Sequence, residues 1–341
     1  MVESSYEQGL TLSPLKAIWE HFTGNFPVPQ VNLEGRTVLV TGGNAGLGYA
    51  SVLHYARSNA SRIIIASRDL KRIQTSIEQV YRDVPTYKGK IDAMQVDLSS
   101  FDSVRTFCES VKADSGRLDI VLANAGIMNA KYAQTGDGYE RVLQVNGLAT
   151  GLMAVLLLPK LEETASLPVP EASKGMKPSI TIVASDVHYF AIFPQKNATG
   201  SLIEALNDPT QFENMSERYN MSKVLSVFIA REISKLPSVT SGKVTVTSVN
   251  PGLCKSEFRA DMGPVLAKIM NWIAWTSEKG ARNFLYASTQ NCSPGSYISG
   301  CREQPVSTFV ASHKGRETQE KYWKESMDIW RKVAPETNDV L

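Results

Sequence analysis

An apolar run, Thr37-Val38-Leu39-Val40, opens into Thr41-Gly42-Gly43-Asn44-Ala45-Gly46-Leu47-Gly48, and a helical pattern begins near Tyr49. A β-branched strand that passes through a glycine-rich turn into a helix constrains this chain more than any other feature, because that order builds a phosphate cradle. Glycines let the backbone turn sharply and approach a pyrophosphate, while the N–H groups and dipole of the helix start attract its charge. The glycines at 42, 46 and 48 are spaced Gly-x-x-x-Gly-x-Gly, not the commoner Gly-x-Gly-x-x-Gly.

From Gly35 onward, strand and helix patterns alternate, which predicts an α/β fold with a parallel sheet covered by helices on both faces. Strands are expected over 37–41, 62–66, 91–96, 119–123, 179–184, 243–249 and 296–299, and helices over 47–59, 69–82, 100–113, 136–161, 216–235 and 278–290. Right-handed crossovers between them give a doubly wound sheet of about seven strands in a single domain, residues 35–341. Residues 1–34 form an N-terminal extension, in which Leu15, Ile18, Trp19 and Phe22 share one helix face. A short helix packed on the domain is expected there, with a substrate lid or a weak membrane contact as alternatives. Two long connections interrupt the alternation. Glu162 to Lys177 is rich in Pro, Ser and Ala and is expected on the surface, whereas residues 186–215 carry His188, Tyr189, Phe190, Phe193 and Phe212 and are expected to pack.

With 43 % hydrophobic and 21 % charged residues, the 341-residue chain has the balance of an ordinary globular protein. A formal charge of +2 is too mild to argue for nucleic acid, and no such partner is expected. Cys108, Cys254, Cys292 and Cys301 are too scattered for a zinc site or a disulfide framework, so reduced thiols in the cytoplasm are expected and no metal. The chain starts acidic, Met1-Val2-Glu3-Ser4-Ser5, without the apolar core of a signal peptide. Its longest apolar run, Gly147 to Pro159, falls short of the ~20 residues of a membrane span, so no stable membrane insertion is expected.

A second constellation is Tyr219-Asn220-Met221-Ser222-Lys223. Spacing of four places Tyr219 and Lys223 on one helix face, close enough for the ammonium to act on the phenol. A tyrosine ionises near ~10 and is a poor acid or base at neutral pH until a neighbouring cation stabilises the phenolate.

The glycine turn after Thr41 together with Tyr-x-x-x-Lys resembles the short-chain dehydrogenase/reductase family, and further family marks follow in order. Asn124-Ala125-Gly126 comes after the fourth strand, with Ala123 where members often carry a first asparagine. Asn146 sits in the fourth helix, Ser185 ends the fifth strand, and Pro251-Gly252 follows the sixth. The resemblance spans about residues 36 to 300 and implies a Rossmann-type fold and a carbonyl–alcohol oxidoreductase. It implies Tyr219 as general acid or base and Lys223 as the group that lowers its pKa and binds the nicotinamide ribose. Ser185 would hold the substrate oxygen, and Asn146 a proton-relaying water. Ser185 and Tyr219 stand 34 positions apart, against about thirteen in many members; retinol dehydrogenase-like members have a comparable insertion. Val183-Ala184-Ser185-Asp186-Val187-His188 is similar to their Val-Ser-Ser-x-x-His, which leaves His188 as a substrate contact or an ordinary loop histidine.

Cofactor preference is read at the end of the second strand, Ile65-Ala66-Ser67-Arg68-Asp69. A carboxylate there selects the unphosphorylated dinucleotide and an arginine the 2′-phosphate, so Arg68 predicts NADP(H), with Asp69 expected as a helix N-cap. Carried over from the family, cofactor contacts fall on Thr41, Gly42, Asn44, Gly46, Leu47, Gly48, Asp97, Leu98, Asn124, Ala125, Gly126, Pro251, Gly252 and Ser256, besides Tyr219 and Lys223. The segment 253–277, with Phe258, Met262, Val265, Leu266, Ile269, Met270, Trp272 and Trp275, is expected to cover a roomy apolar substrate. An amphipathic tail, 316–333, is expected to dock on the domain or on a second subunit, giving a homodimer. Within the family, the tail, Ser277-Glu278-Lys279-Gly280-Ala281-Arg282 and the apolar prefix resemble fungal reductases of secondary metabolism. The substrate expected is a polyketide- or terpenoid-like carbonyl, with a retinoid or steroid as the alternative. A different class, a catalytically silent cofactor sensor, would have no need of Tyr219.

Overall fold

A computed structural model describes residue 24 and residues 26–114, 116–212, 214–255 and 274–341. The helix expected around Leu15 to Phe22, Ser256 and the stretch from Phe258 to Trp272 lie outside these residues.

Eight strands form one sheet: β1 (Thr37–Thr41), β2 (Arg62–Ser67), β3 (Lys90–Gln95), β4 (Ile120–Ala123), β5 (Ser179–Val183), β6 (Thr245–Val249), β7 (Tyr297–Ile298) and β8 (Glu303–Gln304). Their order is β3-β2-β1-β4-β5-β6-β7-β8. The first seven run parallel, and β8 turns back antiparallel to β7, an edge strand that its two polar residues did not announce. All residues of β1, β4, β5 and β6 are buried, as strands covered on both faces must be. Helices α1 (Gly46–Arg57), α2 (Leu70–Asp83), α3 (Phe101–Ala113), α4 (Leu143–Ala165), α5 (Met215–Ile233), α6 (Ser277–Thr289) and α7 (His313–Val333) complete the frame. Alternate residues of β1 point to opposite layers. Val38 and Val40 join α1, α2 and α6 in one core, and Leu39 joins α3, α4, α5 and α7 in the other. The strand order reverses between β1 and β4, and a crevice opens at such a switch point beyond the carboxyl ends of the strands.

Expected and observed boundaries differ most at α4. Residues 136–140 form a turn, not helix: Thr135 N–H donates to the Tyr139 carbonyl at 2.9 Å, and Gly138 is left-handed with φ +85. The Glu140 carboxylate then receives the N–H groups of Val142 and Leu143, both at 2.9 Å, and so starts the helix. Residues Leu143–Ala149 wind as a π-helix before regular α geometry takes over at Thr150. The whole of α4 has 23 residues, longer than the apolar run Gly147 to Pro159, and by length and composition alone it could cross a membrane, yet 94 % of its apolar window is buried inside the protein. That burial explains the composition as the central helix of a core.

The 162–177 excursion is anchored more firmly than its composition suggested. Arg36 reaches across to the Ser173 hydroxyl at 2.7 Å and to the carbonyls of Ser173 and Met176, both at 3.0 Å. The same guanidinium pairs with Asp119 at 2.7 Å in a fully buried ion pair, which Arg117 also joins at 2.8 Å. This polar knot ties the amino ends of β1 and β4 together, at the opposite edge from the crevice. The extension contributes as well: Leu33 is fully buried and Phe26 stacks edge-on against Trp275.

Of the two positions expected for the tail, the structure shows the one on its own domain. Tyr322 and Trp330 of α7 lie against α4, where a side chain at Gly147 or Gly151 would collide with them at 2.6 Å. The Trp330 indole N–H donates to the Leu148 carbonyl at 2.9 Å, inside the π-helical turn, where i→i−4 partners are displaced. Glu325 receives the N–H groups of Leu202 and Ile203 at 2.9 and 2.8 Å and so starts the short helix Leu202–Asn207 in the aromatic connection. Replacing Trp330 by Ala is expected to lower unfolding free energy by about 3–5 kcal/mol, the usual cost of emptying a buried aromatic site. Urea denaturation measures this, and a loss below about 1 kcal/mol would mean that α7 is not part of the cooperative core.

Candidate active site

At the switch point, the Thr41 hydroxyl accepts from the N–H groups of Asn124 and Ala125, both at 3.0 Å, and the Asn124 amide donates to the Thr41 carbonyl at 2.9 Å. These two side chains thus clamp the ends of β1 and β4 and shape the turn. Gly42 and Gly46 are left-handed, φ +67 and +52, and the place of a Gly46 side chain is open space. A Cβ on Gly48 would sit 2.2 Å from the Gly42 carbonyl and 2.6 Å from the Asn124 amide, so only glycine lets α1 start so close to the turn. No side chain caps the start of α1 and no acidic residue lies in its first turn, which suits a helix end meant for a diphosphate. Asn44 and Leu47 flank it, half-buried. These features fit a dinucleotide, with the turn and α1 to hold its pyrophosphate.

Lys223 is buried, and its ammonium donates to the Val183 carbonyl at 2.9 Å, two residues before Ser185. The same nitrogen lies 5.3 Å from the centre of the Tyr219 ring, and the position of a Gly126 Cβ is 3.8 Å away. Asn146, from the π-helical turn, receives the Ile127 N–H at 2.8 Å and donates to the Ile127 carbonyl at 2.8 Å and to the Ser222 hydroxyl at 3.0 Å. One amide thereby fixes the segment after Gly126 against α5. Ser185 stands between β5 and a short 3₁₀ turn, Asp186–Tyr189, with extended backbone. Burial pushes Tyr219 up to about 12 and Lys223 down to about 8, because it strips water from the charged form of each.

At the ribose end, β2 stops at Ser67 and Arg68 follows, exposed. The Asp69 carboxylate receives the N–H groups of Lys71 and Arg72 at 2.9 and 3.1 Å, so it caps α2 as expected. Leu98 is buried, and Asp97 holds the Ser99 hydroxyl at 2.6 Å. Beyond β6, Gly252 is left-handed at φ +79, and the Trp275 ring fills the place of its side chain.

Sequence reasoning gave no role to Asn250. Its side-chain oxygen receives the Asp186 N–H at 3.1 Å and the Gly252 N–H at 3.0 Å, which couples the Ser185 loop to the turn at Pro251-Gly252. Only its place beside Pro251 hinted at this. His188, which the sequence left as a substrate contact or a loop histidine, is buried, 1 % exposed. One turn before Tyr219 on α5, an open cleft of about 600 Å³ is lined by Lys131, Tyr132, Pro209, Phe212 and Met215 among others, and Tyr132 meets Phe212 edge-on at 6.0 Å.

Comparison with known proteins agrees with this geometry. Residues 36–175 match the family model described as short chain dehydrogenase. The short chain dehydrogenase/reductase dmxR8 of Cryptosporiopsis sp. is 35 % identical over 315 residues, covering 91 % of this chain and 95 % of that protein. The short chain dehydrogenase sol3 of Alternaria solani is 37 % identical over 276 residues, covering 80 % and 92 %. A short chain dehydrogenase from Escherichia coli CFT073, crystallised with NADPH, superposes with a TM-score of 0.59 at 19 % identity, covering 80 % of this chain and 99 % of that one. The chain belongs to the short-chain dehydrogenase/reductase family and is an oxidoreductase of that class, with relatives among fungal enzymes.

Burial holds His188 near a pKa of about 4 against an ordinary 6.5. Between these values the unfolded chain binds a proton that the folded chain refuses, so stability rises with pH across that window. Stability is expected to drop by about 3 kcal/mol as pH falls from 6.5 to 4. A His188→Asn variant should lose this part of the slope, while His54, also lowered by burial, keeps a remainder. Urea denaturation at stepped pH checks this, and an unchanged slope in the variant would refute a neutral His188.

Proposed function

We propose that the chain is an NADP(H)-dependent oxidoreductase interconverting a ketone or aldehyde with its alcohol on a bulky apolar substrate, with Tyr219 as general acid or base. The observation that carries this reading is the meeting of Lys223 with the Tyr219 ring, the Val183 carbonyl and Gly126. Separate segments converge there at the carboxyl ends of β4 and β5, where doubly wound sheets bind ligands. NADPH, when bound at the glycine turn, supplies the hydride. Tyr219 gives its phenolic proton to the carbonyl oxygen in reduction and takes it back from the alcohol in oxidation. A phenol held near 12 carries its proton at neutral pH and is therefore loaded for reduction. As that proton leaves, the Lys223 ammonium stabilises the phenolate. Ser185 holds and polarises the substrate oxygen, and Asn146 anchors the water through which the lysine exchanges protons.

Arg68 supports the phosphorylated cofactor, since the carboxylate next to it in the chain, Asp69, is engaged in capping α2. The aromatic cleft before Tyr219 supports a large apolar substrate, and the fungal relatives favour a polyketide- or terpenoid-like secondary metabolite over a retinoid or steroid. No disulfide forms among the described residues, which supports a cytoplasmic enzyme.

Following NADPH absorbance against a panel of apolar ketones and aldehydes tests the reading. Tyr219→Phe is expected to keep NADPH binding and lose at least about 100-fold in kcat, as removal of a proton donor does. Unchanged turnover removes Tyr219 from the mechanism, and binding without turnover in the wild type favours a sensor. Arg68→Ala is expected to lower kcat/KM for NADPH by about 10–100-fold, the worth of a charge-assisted phosphate contact, and to leave NADH unaffected. An NADPH/NADH ratio unchanged by the substitution refutes the role of Arg68.

A further inference from the structure

His188 lies three residues past Ser185, within the 3₁₀ turn, and both of its ring nitrogens are engaged. Nδ1 stands 2.8 Å from the Ser185 carbonyl, and Nε2 stands 3.1 Å from the Ser307 N–H. An amide N–H only donates and a carbonyl only accepts, so the neighbours dictate a neutral ring with its proton on Nδ1. The rings of Tyr189 and Tyr297 pack against it with centroids 4.1 and 4.7 Å away. Tyr297 donates to the Asp186 carboxylate at 2.7 Å, Tyr189 donates to the Pro305 carbonyl, and the Asp186 N–H is held by Asn250. Ser185 is therefore tied through His188 to the segment after β8, and Asp186 to β7 and to the turn after β6.

By contrast, the Ser185 hydroxyl has a long contact of 3.4 Å, from the Val187 N–H. The direction of that hydroxyl follows from the backbone that carries it, and the backbone is held by His188. We propose that His188 is a positioning residue: it fixes the Ser185 carbonyl, and through it the aim of the Ser185 hydroxyl, without touching the substrate. This rests on the reading above that Ser185 holds the substrate oxygen. A wedge that merely filled space would need neither nitrogen, whereas here both make directional bonds to the backbone.

The test separates packing from hydrogen bonding. His188→Phe keeps the ring and removes both bonds; His188→Asn loses the ring but places an amide N–H where Nδ1–H stood. Variants are compared with Ser185→Ala in NADPH-dependent reduction of 9,10-phenanthrenequinone, an aromatic 1,2-diketone, alongside thermal denaturation and NADPH binding. His188→Phe is expected to lose about tenfold or more in kcat, the effect of one misplaced hydrogen bond, with KM for NADPH unchanged. His188→Asn is expected to recover most of that kcat while melting at a lower temperature than His188→Phe, so that activity and stability move in opposite directions. If activity follows melting temperature across the two variants, His188 only packs and the proposal falls. If Ser185→Ala reduces the diketone at the wild-type rate, or the wild type does not reduce it at all, the underlying reading of the site fails instead. A readout independent of turnover and of variant folding is the ¹⁵N spectrum of the histidine side chains in the wild-type protein. A single Nδ1–H tautomer at His188 supports the brace, and an Nε2–H tautomer or a mixture overturns it.

Discussion

The clamp between Thr41 and Asn124 is the constraint on which the arrangement of the site depends. Parallel strands β1 and β4 lie side by side but lead in opposite directions across the sheet, so their carboxyl ends part and leave a crevice. Thr41 and Asn124 bridge that parting with three hydrogen bonds. On one side they fix the glycine turn, whose Gly48 packs against the Asn124 amide, and on the other they direct Ala125 and Gly126 toward Lys223. The two halves of the crevice, the glycine turn and the surroundings of Lys223, are thus referenced to the same pair of side chains.

Two further polar devices carry that order outward. Asn146 joins Ile127 to Ser222 and so sets the height of α5 above the sheet, while the π-helical turn that presents Asn146 is buttressed by Trp330 of the tail. Asn250 and His188 do the same for the Ser185 loop, linking it to β6 and the C-terminal segment. In each case a buried polar side chain satisfies backbone groups that the end of a strand or an irregular helix leaves without partners. The same bonds hold the segments that carry Ser185 and Asn146 in place.

At the opposite edge of the sheet the chemistry is purely structural. Asp119 is fully buried between Arg36 and Arg117, and its carboxylate also receives the Thr37 N–H at 2.9 Å. Hydrogen bonds from Arg36 and Arg117 then tie the excursion after α4 to the strands that carry the cradle.

What the sequence determined by itself is what depends on local periodicity and short spacing. The strand–turn–helix of the glycine motif, the i, i+4 pairing of Tyr219 with Lys223 and the capping role of Asp69 follow from geometry within a few residues, and the main strands stand within about two residues of where their β-branched runs put them. Edge strand β8, the late start of α4 and its π-helical turn were not legible. A two-residue polar strand has no pattern of its own, and the turn at Gly138 and the Glu140 cap overrule an otherwise helical composition. Only the tertiary structure decided that the tail folds back on α4, that His188 is enclosed and that burial, more than charge, sets the pKa values of Tyr219 and Lys223. Each of those depends on which groups lose water when distant segments meet, and loss of water is a property of the packed chain and not of any stretch within it.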